Sequence, residues 1–265
     1  MSTTVEDVVA KTQDVKIDPK SDDVASNEKI TNGTAKEGNH GNETKAKEGA
    51  EEEAKQEKVQ ERMVKKEVPL QLEPKSGVSF PVELDDGKQL SAAGLRKKSM
   101  FGVGIKVYGF GMYTDNEKMK EVIKSKTAKC PAKATKEMYQ AVIDSDFGMT
   151  VKMVIVYTSL TMGMVKKSFD EGLGSAIKKL TGGKNDELIK KLLGEASDDM
   201  KLPKDSVIEI TRLPGYTLQT TVVGKEVSKV ESELLCKAYC YLYLGEDPLD
   251  KEAKEKFGMS LLSLF

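Results

Sequence analysis

The sequence changes character near residue 70, and this boundary limits how much of the chain can build a folded core. Residues 1–68 are rich in Glu, Lys, Asn, Thr and Gly and contain no aromatic residue. A segment of this composition cannot bury enough apolar surface to offset the entropy lost on ordering. We therefore expect residues 1–69 to form a disordered acidic and polar tail, and residues 70–265 to form the folded domain.

The tail also carries the information on targeting. It lacks the apolar stretch of a secretory signal, and it is acidic, whereas transit peptides are rich in Arg and poor in acidic residues. Along the whole chain, no run approaches the ~18 apolar residues needed to cross a bilayer. The sequence alone thus predicts neither secretion nor plastid import, and we expect a soluble chain with no transmembrane segment.

Charge and histidine content restrict the possible functions. The formal net charge is -1, which argues against nucleic acid as the main partner because phosphate binding requires a basic surplus. The only histidine, His40, lies in the tail. The domain therefore cannot use Ser-His or Cys-His chemistry.

Three cysteines do not make a disulfide framework. Cys236 and Cys240 are spaced to lie one turn apart on a helix, and Cys130 is distant in the sequence. A structural zinc site normally takes four N or S ligands, and no histidine is available nearby. Reduced structural thiols are therefore favoured, and we expect neither a metal nor a cofactor.

Hydrophobic periodicity and turn residues predict an α+β fold in which helices pack on a strand-rich sheet. A segment spanning Leu95 to Ser99 reads as a basic turn. Gly109 and Gly111 indicate a bulge or a close backbone approach. Strands are predicted at 77–84, 103–113, 149–157, 206–211 and 216–223, and helices at 117–125, 135–144, 161–180, 186–196, 227–244 and 250–262.

Two side chains in the segment 95–113 are candidates for function. Arg96 leads from the basic turn into an apolar strand, whereas Lys97 and Lys98 are interpreted as solvated.

Tyr108 lies in the predicted strand that follows. Alternation places it on one strand face with Lys106, Phe110 and Met112, and places Val103, Ile105, Val107 and Tyr113 on the other face. A buried Tyr hydroxyl needs a partner, and spacing alone favours a core tyrosine bonded to backbone over a ligand contact. The glycines here lack the spacing of a phosphate loop.

Four methionines, Met149, Met153, Met162 and Met164, lie close together in the sequence. Methionine is a common core filler, and it also lines apolar cavities that adapt to flexible ligands. The sequence leaves both interpretations open.

The segment GLRKKSMFGVGIKVYGFGMY resembles the one that opens the active site in chalcone isomerases, where an Arg in a Gly-rich turn precedes a strand. The resemblance continues through LTMGMVKKSFDEGLG, RLPGYTLQT and ESELLCKAYCYLYLGEDPLD, and it spans about residues 72–265. It implies an open-faced β-sandwich, in which helices cover one side of a long antiparallel sheet and a cleft lies between them.

The resemblance also implies which catalytic positions are replaced. Arg96 stands at the position of the enzymes' Arg, and Tyr108 stands where they have a Thr. The Tyr and Asn that order water around the substrate ketone align with Met164 and Glu171, and a late Thr or Ser aligns with Leu242. Only the Arg survives, so no catalytic residues are expected.

The plant branch of this family that pairs the Arg with a Tyr on the next strand is non-catalytic and binds fatty acids in plastids. The resemblance therefore implies that Arg96 and Tyr108 hold the carboxylate of a free medium- to long-chain fatty acid, in support of fatty-acid metabolism or storage. The alternatives are a chalcone isomerase, which is an intramolecular lyase, and a flavonoid-pathway accessory binding protein. The location implied is the chloroplast stroma, with the cytoplasm as the alternative because of the N-terminus.

Overall fold

The computed structural model describes residues 68–100, 103–126, 130–194 and 196–265. The predicted disorder of residues 1–69 thus lies outside the described residues, except for the last two, which precede the first strand. Within the described part of the chain, no helix is long and apolar enough to cross a membrane.

Ten strands form three antiparallel sheets in the described residues. The main sheet has six strands in the order β10-β9-β8-β5-β4-β3, and the pairs β1-β2 and β6-β7 form the two small sheets. The strands are β1 (Leu70–Glu73), β2 (Val78–Pro81), β3 (Gln89–Met100), β4 (Val103–Thr114), β5 (Met149–Ile155), β6 (Leu160–Thr161), β7 (Lys201–Leu202), β8 (Val207–Leu213), β9 (Thr217–Val222) and β10 (Lys225–Glu231).

Six helices accompany these strands, and most begin at a side chain that caps the helix N-terminus. Thr135, Thr161, Asn185, Ser232 and Asp250 each accept a hydrogen bond from a backbone N–H of the first turn. The helices are α1 (Asn116–Lys126), α2 (Lys136–Asp144), α3 (Met162–Thr181), α4 (Asp186–Leu192), α5 (Glu233–Leu244) and α6 (Lys251–Leu262).

The two faces of the main sheet bury different cores. One face packs against the helices and includes Tyr108, Phe110 and Met153 in a large apolar cluster. On the other face, Phe80 of the β1-β2 hairpin packs with Tyr113 in a small cluster. The expected α+β architecture, an antiparallel sheet with helices on one side, is confirmed, and the small hairpin covers part of the opposite side.

The long hairpin β3-β4 contains two irregularities in strand pairing. Arg96 pairs with Tyr108, but Lys97 pairs with Lys106, so Val107 is an extra residue on β4. Ser91 is the corresponding extra residue on β3, because Leu90 and Ala92 pair with consecutive residues of β4. The Val107 carbonyl accepts N–H groups of Val156 and Tyr157, at 3.0 and 3.2 Å, just after β5. These bulges bend the hairpin and control which side chains face the helices.

Two predicted secondary-structure elements are wrong, and both fall on edge strands. The basic run Leu95 to Ser99 is not a turn, because it lies inside β3, at one edge of the main sheet. The predicted helix over 227–244 instead begins as β10, at the other edge, and helix α5 starts only after Ser232. An edge strand exposes much of its surface, so polar residues can occupy it without disturbing a core.

Other sequence predictions for the central part of the main sheet are confirmed. The strand predicted at 149–157 corresponds to β5, in the middle of the sheet, and the hairpin at Pro214-Gly215 joins β8 to β9. Gly109 marks a close backbone approach, because a Cβ there would lie 2.7 Å from the Ser76 Oγ. This contact holds the loop before β2 against the middle of β4.

Candidate functional site

A cavity of about 370 Å³ opens between the β3-β4 hairpin and helix α3. Its volume falls in the range of small-molecule pockets, and most of its lining is apolar. The lining side chains come from β3, β4, α3, the end of α5 and the adjoining loops: Arg96, Lys98, Ile105, Val107, Tyr108, Tyr157, Leu160, Met164, Val165, Lys167, Ser168, Phe169, Glu171, Gly172, Leu242 and Leu249.

Arg96 and Tyr108 both line this cavity, as partners directly opposite each other on β3 and β4. Arg96 is half-buried, and no ion pair or hydrogen bond to its guanidinium occurs among the described residues. Tyr108 is only 8% exposed. The two predicted site residues therefore meet at one place, and no other described side chain occupies the Arg96 donors.

The surroundings of Tyr108 keep its hydroxyl protonated. Burial raises the pKa of Tyr108, and the Arg96 charge and the Tyr243 hydroxyl lower it only in part. No hydrogen bond from this hydroxyl to backbone is found in the described residues, so the interpretation of a core tyrosine bonded to backbone is not supported. A neutral Tyr hydroxyl beside an Arg is a donor suited to an anionic oxygen.

The bulge at Val107 makes the predicted assignment of β4 side chains to two strand faces wrong. Simple alternation placed Val107 and Ile105 on the face opposite Tyr108, yet all three line the cavity. The extra residue interrupts the alternation, so consecutive side chains can point toward the same space. Sequence periodicity could not reveal this, because nothing in the local residue types identifies the bulge.

Lys98 is not the solvated residue that the sequence indicated. Its ammonium donates to the Glu171 carboxylate on α3 at 3.1 Å, and both residues line the cavity. Lys97, in contrast, is exposed, as predicted. The ion pair connects the edge strand to the covering helix across 73 residues of sequence.

The methionines separate into the two roles that the sequence left open. Met149, Met153 and Met162 are at most 2% exposed and belong to the core. Met164 is 38% exposed and lines the cavity from the first turn of α3. Thr161 caps this turn by accepting the Met164 N–H, which fixes where the helix begins relative to the cavity.

Comparisons with known proteins show relatives that span nearly all of the described residues. A profile of the family described as chalcone isomerase-like matches residues 130–257. Chalcone isomerase-like protein 1 from Humulus lupulus is 59% identical over 197 residues, which cover 73% of this chain and 92% of the relative. Fatty-acid-binding protein 1 from Arabidopsis thaliana is 38% identical over 197 residues, covering 73% and 71%.

The chain belongs to the chalcone isomerase-like family. The crystal structure of an Arabidopsis thaliana fatty-acid-binding protein has the same fold, with a TM-score of 0.68 and 37% identity, and the match covers 74% of this chain and 98% of that one. The resemblance inferred from the sequence motifs is thereby confirmed at the level of family and fold.

The positions that the resemblance aligned with substrate-contacting residues of the enzymes all lie in the cavity wall. Met164, Glu171 and Leu242, which the resemblance assigned to substrate-contacting positions of the enzymes, all line the same space as Arg96 and Tyr108. Two of the three side chains are apolar, and the third is engaged with Lys98. Five positions chosen along the sequence thus converge on one cavity.

The cysteines lie away from the cavity lining. Cys236 and Cys240 are buried on α5, as the helical spacing predicted, and Cys130 is exposed. Burial raises the pKa of the Cys236 thiol to about 12. In the described part of the chain, no group of His, Cys, Asp and Glu side chains is arranged to hold a metal ion.

Sequence reasoning missed one large buried cation, Arg212, which is 1% exposed. Its guanidinium donates to the carbonyls of Phe147, Val142 and Ile143, at 3.0, 3.1 and 3.3 Å. The last two carbonyls belong to the final turn of α2, where a positive charge is favourable. Arg212 lies outside the cavity lining, so we interpret it as a structural residue that joins β8 to α2.

Proposed function

We propose that this protein binds a free fatty acid, with the carboxylate held by Arg96 and Tyr108 and the acyl chain in the apolar part of the cavity. The observation that carries the proposal is the pair itself. A half-buried Arg without an ionic partner among the described residues stands beside a buried, protonated Tyr, and both line a largely apolar cavity. The ligand that satisfies such a site has one anionic head and an apolar body.

The energetics favour such a ligand. Arg presents a planar fork of donors that matches a carboxylate, and a neutral Tyr can donate one further hydrogen bond. Each buried CH₂ contributes about 0.8 kcal/mol, so a twelve-carbon chain gains on the order of 8 kcal/mol before ordering costs. Medium to long chains are therefore the expected ligands.

The proposal is of binding without catalysis. Met164 and Leu242 offer no hydrogen bond with which to order water around a substrate ketone, and Glu171 is paired with Lys98. The Arabidopsis relative described above, matched both by its sequence and by its crystal structure, carries the name of a fatty-acid-binding protein, which supports the same function here. A role in fatty-acid metabolism or storage in the chloroplast stroma, or alternatively in the cytoplasm, completes the proposal.

Calorimetric titration with dodecanoate and dodecanol tests the headgroup assignment. Arg96→Ala is expected to weaken dodecanoate binding by at least about 2 kcal/mol, roughly thirtyfold in Kd, because the carboxylate loses its charged partner. Dodecanol has no carboxylate, so its affinity should change little. Lys97→Ala is the matched control, since Lys97 is an adjacent cation that is exposed and does not line the cavity.

Equal dodecanoate affinity in the wild type and Arg96→Ala would place the headgroup elsewhere and overturn the assignment.

A second candidate function is isomerisation or binding of a chalcone, favoured by the retained Arg96 and by the Humulus lupulus relative whose name refers to chalcone isomerase. Loss of chalcone absorbance in the presence of the protein distinguishes the two. Under our proposal, the absorbance decays at the uncatalysed rate. Turnover clearly above that background would favour the isomerase function. Binding of chalcone without turnover would favour the accessory binding role.

A further inference from the structure

More positively than negatively charged side chains line the cavity. Three cations line it, Arg96, Lys98 and Lys167, and Glu171 is the one acid among the described lining residues. Glu171 accepts a hydrogen bond from the Lys98 ammonium at 3.1 Å. The Lys98 charge is therefore matched before any ligand enters.

The remaining two cations are not equivalent. Lys167 is exposed on α3, where water and salt screen its charge, and the Glu171 side chain is 55% exposed, so its pairing with Lys98 is also partly screened. Arg96 is half-buried, so its attraction for an anion is stronger. Among the described residues, an entering ligand meets one unmatched, partly desolvated positive charge, and a second negative charge on its headgroup finds no comparable partner because Lys98 is already paired.

We propose that Glu171 makes the cavity selective for singly charged headgroups, so that a fatty carboxylate is preferred to a phosphate monoester with the same chain. The inference rests on the fatty-acid binding proposed above and names the residue that restricts its ligand class. Glu171 acts by occupying Lys98, which is then not available to the second charge of a dianion.

The test compares dodecanoate with dodecyl phosphate at pH 8, where a phosphate monoester with a second pKa near ~6 carries two charges. Glu171→Gln removes the partner of Lys98 and so releases the Lys98 ammonium for the ligand. Because a partly exposed charge contributes only a weak attraction, binding should tighten about threefold for dodecanoate and about tenfold for dodecyl phosphate. The carboxylate preference should accordingly fall about threefold.

Asp170→Asn is the matched control. Asp170 is the neighbouring acid on the same helix, and it is exposed and does not line this cavity. It changes the net charge of the protein equally and should leave the preference unchanged. Lys98→Met should have the effect opposite to Glu171→Gln, because it leaves the Glu171 charge unmatched, and the double variant Lys98→Met/Glu171→Gln should return the preference toward the wild-type value.

Equal shifts in Glu171→Gln and Asp170→Asn would reduce the effect to net charge and overturn the inference, while dodecanoate binding by the wild type would leave the proposed function standing. If the wild type binds neither dodecanoate nor dodecanol, the proposed function fails, and the selectivity falls with it.

Discussion

At the scale of single residues, the proposed function depends on two donors placed opposite each other on neighbouring strands. Arg96 provides charge and Tyr108 provides a neutral hydroxyl whose pKa is raised by burial. Residue types and spacing did not identify this pair. They left Arg96 open and favoured a core role for Tyr108, and only the motif resemblance joined the two. The structure brings them together, because antiparallel pairing is a long-range property that local periodicity does not encode.

Removing the Tyr108 hydroxyl tests whether both donors serve one carboxylate. Tyr108→Phe should weaken dodecanoate binding by roughly 1.5–3 kcal/mol, the usual worth of a hydrogen bond to a charged group. Combined with Arg96→Ala, the loss should be smaller than the sum of the two single losses, since the donors share an acceptor. Calorimetry on the double-mutant cycle measures this coupling, and strict additivity would show that the two side chains act on separate groups.

The raised pKa of the buried Cys236 thiol predicts that the free energy of unfolding falls at alkaline pH. The pKa of Cys236 is raised by burial to about 12, whereas a thiol in the unfolded chain ionises near ~8.5. Between these values the folded state keeps a proton that the unfolded state loses, so the free energy of unfolding must fall as pH rises. Below about pH 8.5 this contribution is fully present.

The measurement is urea unfolding at pH 8 and pH 10. The wild type should lose about 2 kcal/mol more stability than Cys236→Ala over this interval, since one pKa unit corresponds to ~1.4 kcal/mol. Cys130→Ala should behave like the wild type, because Cys130 is exposed. An identical pH dependence in wild type and Cys236→Ala would mean that the buried thiol titrates normally.

At the scale of elements, the edge strand β3 is held in place by helix α6. Asp250 caps α6 by accepting N–H groups of Glu252 and Ala253, and its other carboxylate oxygen accepts the Leu95 N–H at 3.0 Å. Strand and helix also approach closely, because a Cβ added to Gly94 would lie 2.6 Å from the Ala253 Cβ. One carboxylate thus fixes both a helix start and the strand position beside Arg96.

Asp250→Ala should therefore lower stability and weaken binding together. Losing the cap costs about 1 kcal/mol, and an unsatisfied Leu95 N–H adds about 1–3 kcal/mol. Urea unfolding gives the first effect, and dodecanoate titration gives the second. Asp247→Ala is the control, since Asp247 is an exposed acid in the same loop that pairs only with Lys179 among the described residues. If Asp250→Ala unfolds like this control, the link between β3 and α6 carries little energy.

Elements were predicted well where they are buried and poorly at the edges of the sheet. Strand β5 and helix α3 have apolar patterns of clear period, because each packs against neighbours on defined faces. In β3 and β10, one side of the strand has no neighbouring strand in the main sheet. Charged residues there satisfy no packing rule, so β3 was read as a turn and β10 as part of a helix.

At the scale of the whole molecule, the composition of the 1–69 tail predicts that all of it before residue 68 is dispensable for folding and binding. A chain of residues 68–265 keeps the Pro69 carbonyl that accepts the Val82 N–H at 2.9 Å, so the first strand pair remains intact. Thermal unfolding and dodecanoate titration of this fragment should match the full chain. Loss of cooperative unfolding on truncation would show that the first segment contributes to the fold.

The two extra residues of the β3-β4 hairpin, Ser91 and Val107, have a consequence for protein engineering. They lie on opposite strands, so each cancels the offset introduced by the other, and both ends of the hairpin keep a common register. Only Ala92 to Arg96 and their partners are displaced by one position. Deleting both extra residues would leave every cross-strand pair of the hairpin unchanged and remove its two bulges. The cavity wall would lose Val107, so its composition can be altered by a change in chain length, without a single substitution.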